Sequence, residues 1–166
     1  MEEWDRNLFR DIEMNDTVED QFGRLPDPHD HVEGAFYQGV NFRRFFAWVI
    51  DVVLIGILAT ILIPFTAFTA LIFLPFFFLF VGFAYRVFTL TGNSATWGMR
   101  LTGMEIRQED GNRLDFGGAL MHTFLYSVGV AIAPLQLISV ILMLVSDKKQ
   151  GLGDMIMGTA PLRTSI

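Results

Sequence analysis

The sequence predicts an all-α membrane protein: a two-helix transmembrane hairpin, then a broken third and fourth apolar helix pair, with a short interfacial strand segment between the two. Three observations carry this. From Phe45 to Tyr85 the only charged residue is Asp51, and apolar runs of this length argue for membrane spans. Residues 116–146 form a second apolar stretch, with no formal charge apart from any proton on His122. The arginines and lysines of residues 36–163 lie outside both stretches or at their edges, as the positive-inside rule requires of loops on one side of a bilayer.

Composition agrees. Hydrophobic residues make up 52% of the 166, with 17 phenylalanines and no cysteine. Without cysteine, no disulfide, thiolate nucleophile or Cys-ligated metal forms within the chain. The net charge of −6 is uneven: residues 1–33 hold 11 acids and three arginines, whereas residues 34–166 hold seven acids and nine bases. Acidity therefore belongs to an N-terminal tail, residues 1–35, and the membrane domain is residues 36–166. An acidic tail argues against nucleic acid as a partner and against docking on anionic lipid. The tail shows no basic region followed by an apolar stretch, so the first membrane helix is expected to direct insertion.

Within the tail, Trp4, Leu8 and Ile12 recur at helical spacing, and Val18, Phe22 and Leu25 form a weaker stripe. Two readings stay open: a solvated tail, since short helices are marginal alone, or a docking segment for another protein. Leu25-Pro26-Asp27-Pro28 then breaks any helix. His29 and His31 with Asp27 and Asp30 contain metal-binding residue types, but no spacing fixes their geometry, so neither a metal nor a cofactor is expected. Phe36, Tyr37, Phe42 and Trp48 suit a membrane-interface belt.

The first span is expected at about 44–63, with Ala47, Gly56 and Ala59 as small residues where a neighbouring helix approaches closely. Arg44 and Asp51 are seven residues apart, so they share a face about 10 Å apart along the axis. A lone carboxylate in such a run costs roughly 2.5–3.5 kcal/mol on insertion scales and must face protein or water. Pro64 ends the span. An uncharged connection leads to the second span, about 70–88, where Tyr85 and Arg86 mark the return to the interface. Residues 100–107 alternate with period two around Gly103, which predicts a short interfacial strand or small hairpin. Arg86, Arg100 and Arg107 are the interfacial basic residues. Asp115 is a candidate N-cap for the next helix.

Residues 116–146 are too long for one simple span and are interrupted by Gly129 and Pro134. Placing every basic segment on the cytoplasmic side requires this stretch to enter and return, as segments of about 116–132 and 134–146. A re-entrant pair or tilted short hairpin satisfies that; one long kinked helix is the alternative. Residues 151–162 predict a turn of helix and a strand-like end, with Asp154 among apolar residues.

These parts resemble the RDD family of small bacterial membrane proteins. Arg44, Ala47 and Asp51 resemble its opening signature. Ala95-Thr96-Trp97-Gly98-Met99-Arg100 resembles its Thr-Pro-Gly-Lys-Arg segment, with Trp97 where Pro is usual and Met99 where Lys is usual. Gly153-Asp154 through Gly158-Thr159 resembles its closing motif. The resemblance implies a charged triad of Arg44, Asp51 and Asp154 and a place in the bacterial inner membrane, where the chain is expected to be multi-pass with both termini cytoplasmic, since every basic segment then lies inside. His122 stands where an Arg is common and is the candidate polar partner. Two functions follow. One is a structural, accessory or assembly subunit whose Arg–Asp charges fix helix register, with membrane lipid and other subunits or a second copy as partners. The other is a proton-coupled cation antiporter acting as an oligomer, since an intramembrane carboxylate is a functional-site candidate. Ser94, Ser127, Ser139 and Ser146 sit in no nucleophile-like context, so no enzymatic activity is expected.

Overall fold

The structure, a computed structural model, describes residues 24–31, 33–66 and 69–164. The stripe of Trp4, Leu8 and Ile12, with Val18 and Phe22, lies outside them. Six helices and two strands organise the described residues. Helix α1, Val40–Leu62, opens behind Gly39, whose φ of 69° turns the chain left-handed before the helix. It begins a turn earlier than residue 44, so both Arg43 and Arg44 are helical. Two 3-10 turns, Ile63–Thr66 and Thr69–Leu71, lead to α2, Leu74–Asn93, with Pro75 in its first turn, where the missing N–H costs nothing.

Both α1 and α2 are long and apolar enough to cross a membrane. They pack against one another. The later stretch is two helices: α4, Phe116–Ala131, and α5, Ala133–Val145, bent by 115° at Ile132. Pro134 falls in the first turn of α5. As expected of an N-cap, the Asp115 carboxylate accepts the Gly118 N–H at 2.7 Å.

Residues 100–102, read as strand, are instead the end and cap of a short helix, α3, Trp97–Leu101. Three alternating residues are too short a signal to outweigh Thr96, whose hydroxyl caps the helix by accepting the Met99 N–H. Strand β1, Met104–Gln108, follows. A minimal local hairpin is present, with Arg107 bridging antiparallel to Arg113, but the main partner of β1 is β2, Thr159–Arg163, which pairs antiparallel with Ile106 opposite Pro161. Between them, α6 spans Leu152–Met157 and ends at Gly158, whose φ of 63° suits glycine.

The two-stranded sheet separates two apolar clusters. Met104 and Ile106 join Val40, Ala47, Leu90, Ala95 and Met99 of the main core. On the other face Ala160 and Leu162 meet Leu25, Phe36 and Tyr37. Leu25 N–H donates to the Glu109 carbonyl at 3.0 Å, and the Tyr37 hydroxyl to the Pro26 carbonyl at 2.9 Å. Packing on the sheet thus begins at Leu25, within the stretch 1–35 assigned to the tail.

One end of the helices gathers four segment ends in two junctions. The Arg44 guanidinium donates to the Lys149 carbonyl at 3.1 Å and Asn41 to the Met143 carbonyl at 2.9 Å, joining the start of α1 to the end of α5. The Leu114 N–H donates to Ser94 Oγ at 2.6 Å, joining the approach to α4 to the end of α2.

Candidate functional site

Two buried carboxylates, both outnumbered by donors, form the polar centre. Asp51 lies mid-way along α1 and is 1% exposed. Tyr85 of α2 donates its hydroxyl to Oδ1 at 2.7 Å, Thr96 its hydroxyl to Oδ2 at 2.7 Å, and Gly98 its N–H to Oδ1 at 2.9 Å. Such close approach of α3 requires glycine: a Cβ at Gly98 would overlap the Ala47 carbonyl oxygen and come within 2.7 Å of Asp51 Oδ1. Arg86 of α2 completes this node, with Nη2 at 3.8 Å from Asp51 Oδ2 and the guanidinium 3.8 Å above the Tyr126 ring of α4. The Tyr126 hydroxyl in turn accepts the Trp48 indole N–H at 3.1 Å.

Asp154 is the second node. Its Oδ2 accepts Arg44 Nη1 at 2.8 Å and the Gly151 N–H at 2.9 Å, the latter capping α6. Oδ1 meets His122 Nε2 at 2.9 Å and the Thr159 hydroxyl at 3.4 Å. Burial works to raise the pKa of this carboxyl. The Arg44 charge, the His122 hydrogen bond and charge, and the Gly151 N–H outweigh it and hold the group well below the usual carboxylate range. With a carboxylate on Nε2, that nitrogen carries the proton. His122 Nδ1 is buried and has no partner among the described residues.

Arg44 and Asp154 thus meet directly, while Asp51 stands apart from both. His122, the candidate polar partner, serves Asp154; Asp51 takes hydroxyls from Tyr85 of the second span and Thr96 of the segment after it. Of the three basic residues placed at the interface, Arg86 and Arg107 are buried inside the protein. Arg86 is 6% exposed and faces Asp51 and Tyr126 rather than headgroups. Arg107 is fully buried on the sheet, where Glu105 lies 2.8 Å from its Nη2 and its Nη1 donates to the Gly111 carbonyl. Arg100 alone is half-buried; it donates to the Ala95 and Thr89 carbonyls and stacks on Trp97 at 4.9 Å. Position relative to the end of a span sets depth, but the partner sets direction: for Arg86 it is distant in sequence, whereas Arg107 turns to Glu105 and Gly111 close by.

Around His29, local turns claim the carboxylates: Asp27 Oδ1 accepts the His29 N–H and Asp30 Oδ1 the Glu33 N–H. Among the described residues no three His, Asp or Glu side chains converge on a metal-sized site. Beside both nodes lies a cavity of about 380 Å³, walled by α1, α4 and α5 and reaching Arg86 and Met99.

The family's sequence pattern matches residues 39–158, described as the RDD family. The chain belongs to the RDD family. It is a membrane protein with transmembrane helices, and its matched region runs from the start of α1 to the end of α6. No curated protein and no solved structure matches it. The RDD motifs coincide with the two nodes: the first and last join Arg44 to Asp154, and the middle one supplies Thr96 and Gly98 to Asp51. Trp97, in the place of the usual RDD proline, is the first residue of α3. Its N–H, absent in proline, donates to the Tyr85 hydroxyl at 3.2 Å. Tyr85 and Tyr126 were the partners that sequence reasoning missed. Tyr85 carried a signal, since it lies on a helix facing the lone carboxylate, but an interface tyrosine has the same sequence context.

Proposed function

We propose that this RDD protein is a multi-pass accessory or assembly subunit of the bacterial inner membrane. In this reading its buried charges lock the helices into one register, presenting a fixed surface to other membrane subunits or a second copy. The observation that carries the reading is saturation. Asp51 accepts three hydrogen bonds from α2, α3 and the residue that caps α3. Asp154 binds α1, α4 and β2 at once. An ionised carboxylate has about four acceptor sites; Asp51 fills three of them and Asp154 four, which leaves little capacity to coordinate an incoming cation.

In the same proposal α1 and α2 form a transmembrane hairpin and α4–α5 a re-entrant pair, with both termini cytoplasmic. Support comes from the gathering of the start of α1, the end of α2, the approach to α4 and the end of α5 at one end. Arg43, Arg113, Lys148, Lys149 and Arg163 belong to the segments at that end, which suits the cytoplasmic face. Reporter fusions after Thr66 and after Ile166 test it; the expected locations are periplasm and cytoplasm, and a periplasmic signal from the second fusion overturns the re-entrant pair.

Function is tested in vesicles containing only this protein. The structural reading expects no proton-coupled cation flux, and co-purification of a partner at fixed stoichiometry in mild detergent. Flux that disappears in a folded Asp51→Asn variant would replace this reading with antiport.

A further inference from the structure

The cavity beside the two nodes has a chemistry that the structural role does not use. Its volume, about 380 Å³, falls in the range of sites that hold drug-sized molecules, roughly 300–1,000 Å³. The flanks are apolar. Phe45 and Trp48 of α1 and Val140 and Leu144 of α5 line it and are themselves exposed. They therefore frame a mouth that opens sideways, on a face of α1 that meets lipid hydrocarbon when α1 spans the bilayer.

The deep wall is different. Arg86 lines the cavity and is 6% exposed. Its guanidinium stacks on Tyr126 and lies 3.8 Å from Asp51 Oδ2, yet it donates no hydrogen bond to any described residue. Asp51 is already occupied, since Tyr85, Thr96 and Gly98 hold its oxygens at 2.7–2.9 Å. A guanidinium has five N–H donors in a planar fork. None of its nitrogens is among the sealed polar atoms without a partner, so they are accessible from the cavity, and the fork matches an anion with two oxygens. A cation poised at the deep end of an apolar slot selects a ligand charged at one end and apolar along the rest.

We propose that this cavity binds a single-chain amphiphile with a two-oxygen acidic head, such as a long-chain carboxylate. The head seats on Arg86, and the chain leaves between Phe45 and Trp48 on one side and Val140 and Leu144 on the other. The site goes beyond the assembly role and stands whether or not a partner subunit exists.

Trp48 at the mouth provides the probe. In a chain carrying Trp4→Phe and Trp97→Phe, Trp48 is the remaining tryptophan. In nanodiscs of the purified full chain, a brominated long-chain carboxylate should quench it saturably. A brominated alcohol of equal length should bind about tenfold more weakly or worse, the worth of a charge-assisted hydrogen bond. Brominated phosphatidylcholine should quench only in proportion to its mole fraction. Arg86→Gln should reduce carboxylate binding to the level of the alcohol. Val140→Phe fills the slot from α5, which gives no hydrogen bond to either carboxylate, so it should remove the saturable phase even if the Arg86 variant fails to fold. Equal, non-saturating quenching by all three probes would overturn the proposal. So would undiminished carboxylate binding in folded Arg86→Gln, or displacement of the probe by inorganic phosphate alone, which would make the site one for soluble anions.

Discussion

Arg44 and Asp154 give the sharpest test of how the fold is held. The guanidinium reaches Asp154 Oδ2 at 2.8 Å, with side-chain exposures of 16% and 2%. Removing one partner of a buried pair typically costs about 3–5 kcal/mol, because the other is left charged and unpaired. The two ends are not equivalent. Without Arg44, Asp154 keeps His122, Gly151 and Thr159, and Arg44 itself is partly solvated, so Arg44→Ala should cost about 3 kcal/mol. Without Asp154, four donors lose their acceptor and α6 loses its cap. Asp154→Ala should therefore cost nearer 5 kcal/mol, the cap contributing about 1 kcal/mol of it. The double variant removes both charges, and coupling of about 2 kcal/mol is expected, within the range for residues in direct contact. Reversible unfolding in mixed detergent micelles, run for all four proteins, measures the cycle. Coupling below about 0.5 kcal/mol, the level of independent sites, would refute the claim that the pair joins α1 to α6 energetically.

Other outcomes follow from neighbouring contacts. Gly98→Ala sets a methyl against the Ala47 carbonyl and Asp51; an overpacking loss of about 1–3 kcal/mol is expected in the same unfolding assay, and an unchanged midpoint would mean α3 does not rest on α1. Deleting residues 1–23 should leave the midpoint in place, whereas deleting 1–28 removes Leu25 from its cluster and the Pro26 carbonyl from Tyr37; burial of one leucine corresponds to about 1.5–3 kcal/mol, so equal midpoints for the two truncations would contradict that packing. The depressed pKa of Asp154 stabilises the fold fully above the unfolded carboxylate value near 3.9, and this contribution is lost as pH falls below it. Midpoints should therefore be insensitive to Asp154 between about pH 5 and 8 and drop in acid, and the acid drop should shrink in Asp154→Asn.

What was legible in the sequence was what local pattern controls. The span of α1 follows from an apolar run with one carboxylate, and the break between α4 and α5 from Pro134. Asp115 announced its cap. What was hidden depended on contacts far apart in the chain. β1 finds its partner more than fifty residues later, so period-two alternation announced a strand but not its neighbour. Arg86 carries the sequence context of an interface cation; only the position of Tyr126, forty residues on, turns it inward. Asp51 was recognisable as a residue in need of partners, yet its donors come from a tyrosine and a tight helix turn that the charge pattern does not mark.

The pairing of β1 with β2 also fixes an order of events during synthesis. Helices α1 and α2 leave the ribosome and reach the membrane long before residues 152–163 exist. Until those residues arrive, Arg44 has no Asp154, and the strand bearing Glu105 and Arg107 lacks its partner β2 along one edge. The growing chain must therefore wait in the bilayer as an unfinished intermediate, with a cation near the interface and an open strand beside it. A ribosome that stalls within the last dozen of these residues leaves the protein inserted yet open to disposal.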